Sequence, residues 1–169
     1  MKEYLVLAMA LATTLFAQEA PKLPDATLTL YSPGGSMRRT VPGRHPWVSP
    51  LWIDHQRVTK TKVMPGHFLS LKLPNGGHAI TGWNSWGHES DAATAISLEP
   101  GRHYFVRLMA DSHVVAGFGG AGYFGELVTC EEAHKDGAAL EPMKLKHVTE
   151  QFLDATVREP YFPECEIKR

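Results

Sequence analysis

Apolar and polar residues alternate over several short stretches of the chain, and Pro and Gly separate them. The clearest stretch is His67 to Leu73, with Leu69, Leu71 and Leu73 on one side and Phe68, Ser70 and Lys72 on the other. A period of two with one apolar side predicts a half-buried strand. Ala26 to Tyr31 alternates in the same way and runs into Ser32-Pro33-Gly34-Gly35, a turn signal. Trp47 to Ile53, interrupted at Pro50, predicts another strand, followed by a tight turn at Asp54-His55-Gln56 and a strand over Arg57 to Val63. Pro74-Asn75-Gly76-Gly77 predicts a hairpin joining the strand that ends at Leu73 to one over His78 to Trp83, because Asn-Gly accepts the positive φ such turns need. Ala92 to Leu98, Arg102 to Met109 and Tyr123 to Thr129 complete the set.

Between the strands, Ser36 to Pro46 is irregular and basic, Asn84 to Asp91 is a polar loop, and Asp111 to Gly122 is loose and Gly-rich. Glu131 to Leu140 predicts a helix weakened by Gly137, and Lys144 to Thr156 has room for a second short one. Arg158 to Arg169 is a Pro-containing tail. The pattern predicts a mainly β fold: a single antiparallel β-sandwich of about 7–8 strands with a short C-terminal helix.

The N-terminal end departs from this pattern. Lys2 precedes an apolar run from Tyr4 to Phe16, and the small Ala17 stands before the polar Gln18. That layout predicts a signal peptide over 1–17, the alternative being an uncleaved anchor. A flexible leader is expected over 18–25, the sandwich and the start of its helix over 26–140, and a C-terminal extension over 141–169. The chain is therefore expected in the periplasm or outside the cell, with no transmembrane helix once the signal is cleaved. The net charge of −1 lacks the basic excess that nucleic acid attracts, so no nucleic-acid partner is expected. Cys130 and Cys165 are the two cysteines. In an oxidising compartment they are expected to pair, with two unpaired thiols as the alternative. Closing that loop would contribute roughly 3–4 kcal/mol.

Nine histidines are many for this length. None shows the i, i+2 strand spacing or i, i+4 helix spacing of a metal pair, apart from which a site would need distant loops carrying His45, His88 and His113. Neither a metal nor another cofactor is expected. The run Gly117 to Gly122 precedes a strand, whereas a phosphate-cradling loop opens a helix. No Gly-x-Ser-x-Gly elbow, His-Glu-x-x-His pair or catalytic-Cys signature occurs, so no catalytic residue is named. Glu131 and Glu132 suit a helix N-terminus, whose dipole favours negative charge. Trp52 and Trp83 are expected in the core. Trp47 and Trp86 are the candidates for ligand contact, since loop aromatics on a sandwich can hold a sugar face or a peptide.

Several consecutive motifs carry a resemblance that covers residues 26–140. They are Trp52-Ile53-Asp54 with Gln56-Arg57-Val58, Met64-Pro65-Gly66-His67-Phe68, and Leu73-Pro74-Asn75-Gly76-Gly77-His78. Leu98-Glu99-Pro100-Gly101-Arg102-His103-Tyr104-Phe105-Val106 follows, then Gly125-Glu126-Leu127-Val128 before a helix with Glu132 and Ala133. In order and spacing these resemble an uncharacterised bacterial family, domain of unknown function 2846. The resemblance implies an exported β-sandwich similar to transthyretin-like and carboxypeptidase-regulatory-like modules. Many members look like lipoproteins, whereas no Cys stands near the cleavage point here, and His55 occupies a turn position where Gly is common. The family has no assigned activity and so supplies no site residues. The expected function is an exported, non-catalytic accessory or binding module whose partner is an envelope protein, peptide or glycan. The alternatives are a metal-handling protein using loop histidines and a hydrolase of envelope polymer.

Overall fold

A computed structural model describes residues 23–33, 44–46, 50–61, 63–83, 89–111, 114–115, 118–119, 122–137, 140–158 and 165. The expected signal peptide and most of the expected leader lie outside these residues. Two sheets face each other across one core, as the alternating stretches require.

The six-stranded sheet is built from β1 (Ala26–Ser32), β2 (Arg44–Pro46), β5 (His67–Leu73), β8 (His103–Asp111), β11 (Gly122–Val128) and β12 (Glu141–Pro142). Its order is β11-β8-β1-β5-β12, with β2 on β8 beyond the end of β1. The four-stranded sheet has the order β4-β3-β6-β7, from β3 (Leu51–Ile53), β4 (Gln56–Arg57), β6 (Gly76–Trp83) and β7 (Glu89–Leu98). The Gly-rich stretch holds a two-stranded ribbon, β9 (Val114–Val115) with β10 (Phe118–Gly119).

The alternation read from sequence is the alternation seen. Leu28 and Leu30 of β1, Leu69, Leu71 and Leu73 of β5, and Val106 and Leu108 of β8 point inward. They meet Leu51, Ile53, Ile80, Ile96 and Leu98 of the other sheet. Each fully buried side chain of this kind contributes roughly 1.5–3 kcal/mol.

Four expectations are corrected. The sandwich is not purely antiparallel: β1 runs parallel to β8, from Thr27 opposite His103 to Tyr31 opposite Arg107, and β12 runs parallel to β5. The central strand β1 thereby gains β8 as a neighbour through a long connection. Pro74-Asn75-Gly76-Gly77 closes no hairpin. Leu73 pairs with Ala26 and Gly76 pairs with Leu98, so this turn carries the chain from one sheet to the other. Alternation on both flanks is satisfied equally by facing across a core, and Gly76 supplies the φ of 130° at the crossing. The strand expected over Arg57 to Val63 ends at Arg57, because Thr59 leaves to form a bridge with Val148 and its hydroxyl accepts from the Leu51 amide at 3.0 Å. Trp52 is not in the core. It lies between the inward Leu51 and Ile53, half-buried, with the Arg57 guanidinium 5.7 Å from its ring centre.

The turn at Asp54-His55 is a two-residue hairpin with φ of 51° and 63°, the signs a type I′ turn demands. Helix α1 (Cys130–Gly137) starts with a capping box. The Thr129 hydroxyl accepts from the Glu132 amide at 3.2 Å, and the Glu132 carboxylate accepts from the Thr129 amide at 2.9 Å. That backbone bond holds the Glu132 carboxyl below its usual range. The helix lays Ala133 on Tyr31, Phe68 and Phe105, the outward side chains of the large sheet. A disulfide joins Cys130 to Cys165, 35 residues on, with 5.7 Å between their Cα atoms.

Residues 141–158 form a strap along one open side of the sandwich. It pairs with β5 through β12, makes a 3₁₀ turn (Leu145–His147), bridges to Thr59, and continues through α2 (Glu150–Leu153) to a bridge between Thr156 and Leu71. Met143, Val148 and Phe152 enter the main core from this strap. Among the described residues no helix is long and apolar enough to cross a membrane.

Candidate functional site

Where the strap leaves β5 it roofs a cavity of about 410 Å³ lined by Thr61, Met64, His67, Met143, Lys144 and His147. Backbone bonds hold the roof in place. The Glu141 amide donates to Gly66 O and the Met143 amide to Phe68 O, both at 2.8 Å, while the Lys60 amide donates to His147 O at 2.7 Å. The floor comes from the turn before β5. Gly66, with φ of 79°, donates its amide to Ser32 O at 2.8 Å and reverses the chain so that Met64 and His67 flank the opening.

His67 has the same facing as Leu69 and Leu71, so it extends the inner side of β5 to the mouth of the sandwich. Its Nδ1 lies 3.2 Å from Pro65 O, and donation there leaves Nε2 turned to the Glu141 carboxylate 3.9 Å away. Opposite His67 in the β1–β5 register stands Ser32, whose buried hydroxyl finds no hydrogen-bond partner among the described residues. Met143 is buried and Met64 exposed, so one thioether lines the depth of the cavity and the other its lip. A second cavity of about 230 Å³ adjoins, sharing Met143 and Lys144 and adding Phe68, Thr156 and Arg158.

The cavity has room for a small molecule. The volume falls in the range of small-molecule sites, about 300–1,000 Å³. Thioethers adapt to irregular apolar shapes. Lys144, His67, His147 and Arg158 set cationic or hydrogen-bonding groups around the two openings.

Two other polar groups are candidates for chemistry. On the outer side of the large sheet the Thr29 hydroxyl lies 2.7 Å from both Ser70 Oγ and His103 Nε2. His103 stacks on Phe105 with ring centres 4.5 Å apart, and burial pushes its imidazole below the usual value. The row resembles an activated hydroxyl, but Thr29 and Ser70 are only 1% and 3% exposed, so no substrate reaches them. At the β3–β4 turn His78 Nδ1 lies 2.7 Å from the Asp54 carboxylate, and His55 Nδ1 lies 3.2 Å from that of Glu89. Burial raises the Asp54 carboxyl, but the Ala79 amide and His78 outweigh it and hold it below its usual range.

Of the residues singled out from sequence, Cys130 and Cys165 are brought together and bonded. Trp47 and Trp86 lie outside the described residues, as do His88 and His113, and of His45 only the backbone in β2 is described. Phe118–Gly119 lies in a strand pair, and the Gly-rich run leads into β11. Among the described residues, the one group of three metal-ligand side chains close enough to share an ion is Cys130, His134 and Cys165. Sequence reasoning missed the strap cavity. Its residues come from two segments about 80 positions apart, and neither carries a local motif. Comparison of the chain with protein-family models, curated proteins and solved structures finds no match in any of the three.

Proposed function

We propose that the protein is an exported, non-catalytic binding module, and that its ligand is a small amphipathic acid seated under the strap. The observation that carries this reading is the cavity itself: buried Met143 and exposed Met64 supply an adaptable apolar wall, with Lys144, His67 and His147 at its border. An apolar body would lie against the thioethers while an acid group meets Lys144.

Export rests on the apolar run before Ala17 and on the Cys130–Cys165 bond, which an oxidising compartment favours. Membership of the exported family, domain of unknown function 2846, is proposed on the resemblance of the motif order alone. Isothermal titration with decanoate and dodecanoate tests the ligand class. Saturable binding to the wild type, weakened at least tenfold in Lys144→Glu, is expected. Absence of binding, or equal binding by that exposed-site variant, would remove the proposal. Intact mass of the protein recovered outside the producing cytoplasm tests export, with loss of residues 1–17 expected.

A further inference from the structure

The disulfide lies beside an imidazole. Cys130 opens α1 and His134 follows one helical turn later, so both side chains share one helix face. Cys165 reaches that face from the tail. The two sulfurs and a His134 ring nitrogen all lie within 4.8 Å of one another, and all three residues are half-buried, open to solvent on one side. Two sulfurs and one imidazole are a donor set suited to zinc-class cations. In a tetrahedral site with metal–sulfur bonds of about 2.3 Å and metal–nitrogen bonds of about 2.0 Å, neighbouring donors stand roughly 3.5–3.8 Å apart. With the Cα atoms 5.7 Å apart, rotation of the two Cys side chains gives that spacing once the sulfurs are no longer bonded to each other.

We propose that Cys130, His134 and Cys165 form a redox-gated site for a thiophilic divalent cation of the zinc class. The disulfide and the metal site are alternative states of the same two sulfurs. A dithiol reductant opens the site: it delivers two electrons and two protons, the sulfur–sulfur bond breaks, two thiols form, and the reductant becomes a disulfide. The cation then displaces both thiol protons to solvent, forms two bonds to sulfur and one to His134, and keeps water in the fourth position. Either state ties residue 165 to α1, so the cation replaces the covalent link rather than merely filling a gap. This site lies on α1, apart from the strap cavity, and stands or falls independently of it.

The test uses the full chain, reduced without oxygen and freed of reductant, with cobalt(II) as the probe and zinc(II) as competitor. One cobalt per reduced chain is expected, with thiolate-to-metal charge-transfer absorption that zinc abolishes, and none in the disulfide form. His134→Ala, whose folding is checked in the disulfide state, should weaken binding about tenfold or more. Zinc should raise the thermal midpoint of the reduced wild type but not of Cys165→Ser. No cobalt uptake on reduction would overturn the proposal. So would equal affinity in His134→Ala, which includes the case of an unfolded dithiol chain binding metal without help from the imidazole.

Discussion

Two polar clusters, one under α1 and one at the β3–β4 turn, both pair carboxylates with nitrogen donors, Arg107 in the first and His55 and His78 in the second, to opposite effect. Under α1, Asp136 accepts from the Tyr31 hydroxyl at 2.6 Å and from Arg107 Nε at 2.7 Å, and Arg107 Nη1 also donates to Glu126 at 2.9 Å. The Arg107 and Asp136 side chains are 13% and 9% exposed. Burial, then the bond to Asp136, pushes the Tyr31 phenol far above its usual value, so it remains a donor. Burial pulls against the Arg107 charge, but Tyr31 and Asp136 outweigh it. At the turn one member of each pair is open to water, Asp54 at 46% beside His78 at 11% and His55 at 87% beside Glu89 at 24%, and solvent at the open member screens what the pairs gain. The first cluster fixes a helix on a sheet, because loss of Asp136 or Arg107 strips the other of its most buried charged partner. The second decorates a turn whose shape comes from backbone dihedrals. Depth, not the count of ion pairs, decides which one the fold depends on.

The largest effect is expected from Arg107→Ala, which strands the Asp136 carboxylate. A loss of about 3–5 kcal/mol in urea unfolding is expected, with part of it recovered when Asp136→Asn is added. A loss below about 1 kcal/mol would put the two clusters on the same footing.

Next comes acid sensitivity on the same sheet. Burial lowers the His103 value in the folded state, so the unfolded chain takes up that proton first. Stability from this group is complete above the ordinary imidazole value of about 6.5 and falls as pH drops below it, until the lowered folded value is passed. His103→Gln should flatten the unfolding midpoint between about pH 7.5 and 5 relative to wild type. An unchanged slope would show that His103 is not responsible.

Asp54 has the same sign as His103 but acts in the carboxylate range, at lower pH. Its folded value is lowered, so its contribution is present above the usual carboxylate range and is lost as pH falls through the folded value. Being nearly half exposed, it should cost less than about 1 kcal/mol in Asp54→Asn at neutral pH. A larger loss would mean the turn cluster is structural after all. The smallest change should come from His55→Gly, which removes a side chain from a left-handed backbone. A gain of a few tenths of a kcal/mol, or none, is expected by thermal unfolding, the relief of strain being offset by glycine's greater freedom.

Much of this architecture was legible in the chain. Leu69, Leu71 and Leu73 announced β5, Asp54-His55 announced its turn, and Glu132 stands at the helix N-terminus as the acidic pair suggested. The disulfide was legible from the even cysteine count. What alternation cannot tell is which sheet a strand joins, since Ile80 is equally well buried beside Leu71 or opposite it. The crossing at Gly76 and the parallel pairing of β1 with β8 follow from packing of distant segments, not from local preference. The cavity was hidden for the same reason. Met64 and His67 meet Met143 and His147 only because the strap is anchored at Gly66, Phe68 and Lys60.

The position of β1 at the centre of the large sheet has a consequence for kinetics. The first described strand cannot complete its hydrogen bonds until β5 and then β8 have been synthesised, and the core stays open on one side until Val148 and Phe152 arrive from the strap. Loop-closure entropy must be met before those distant contacts return any energy, so chains wired this way fold slowly, on the order of milliseconds to seconds. A polypeptide emerging residue by residue therefore remains without a closed core until the strap has emerged, and folding waits on Val148 and Phe152 rather than proceeding strand by strand.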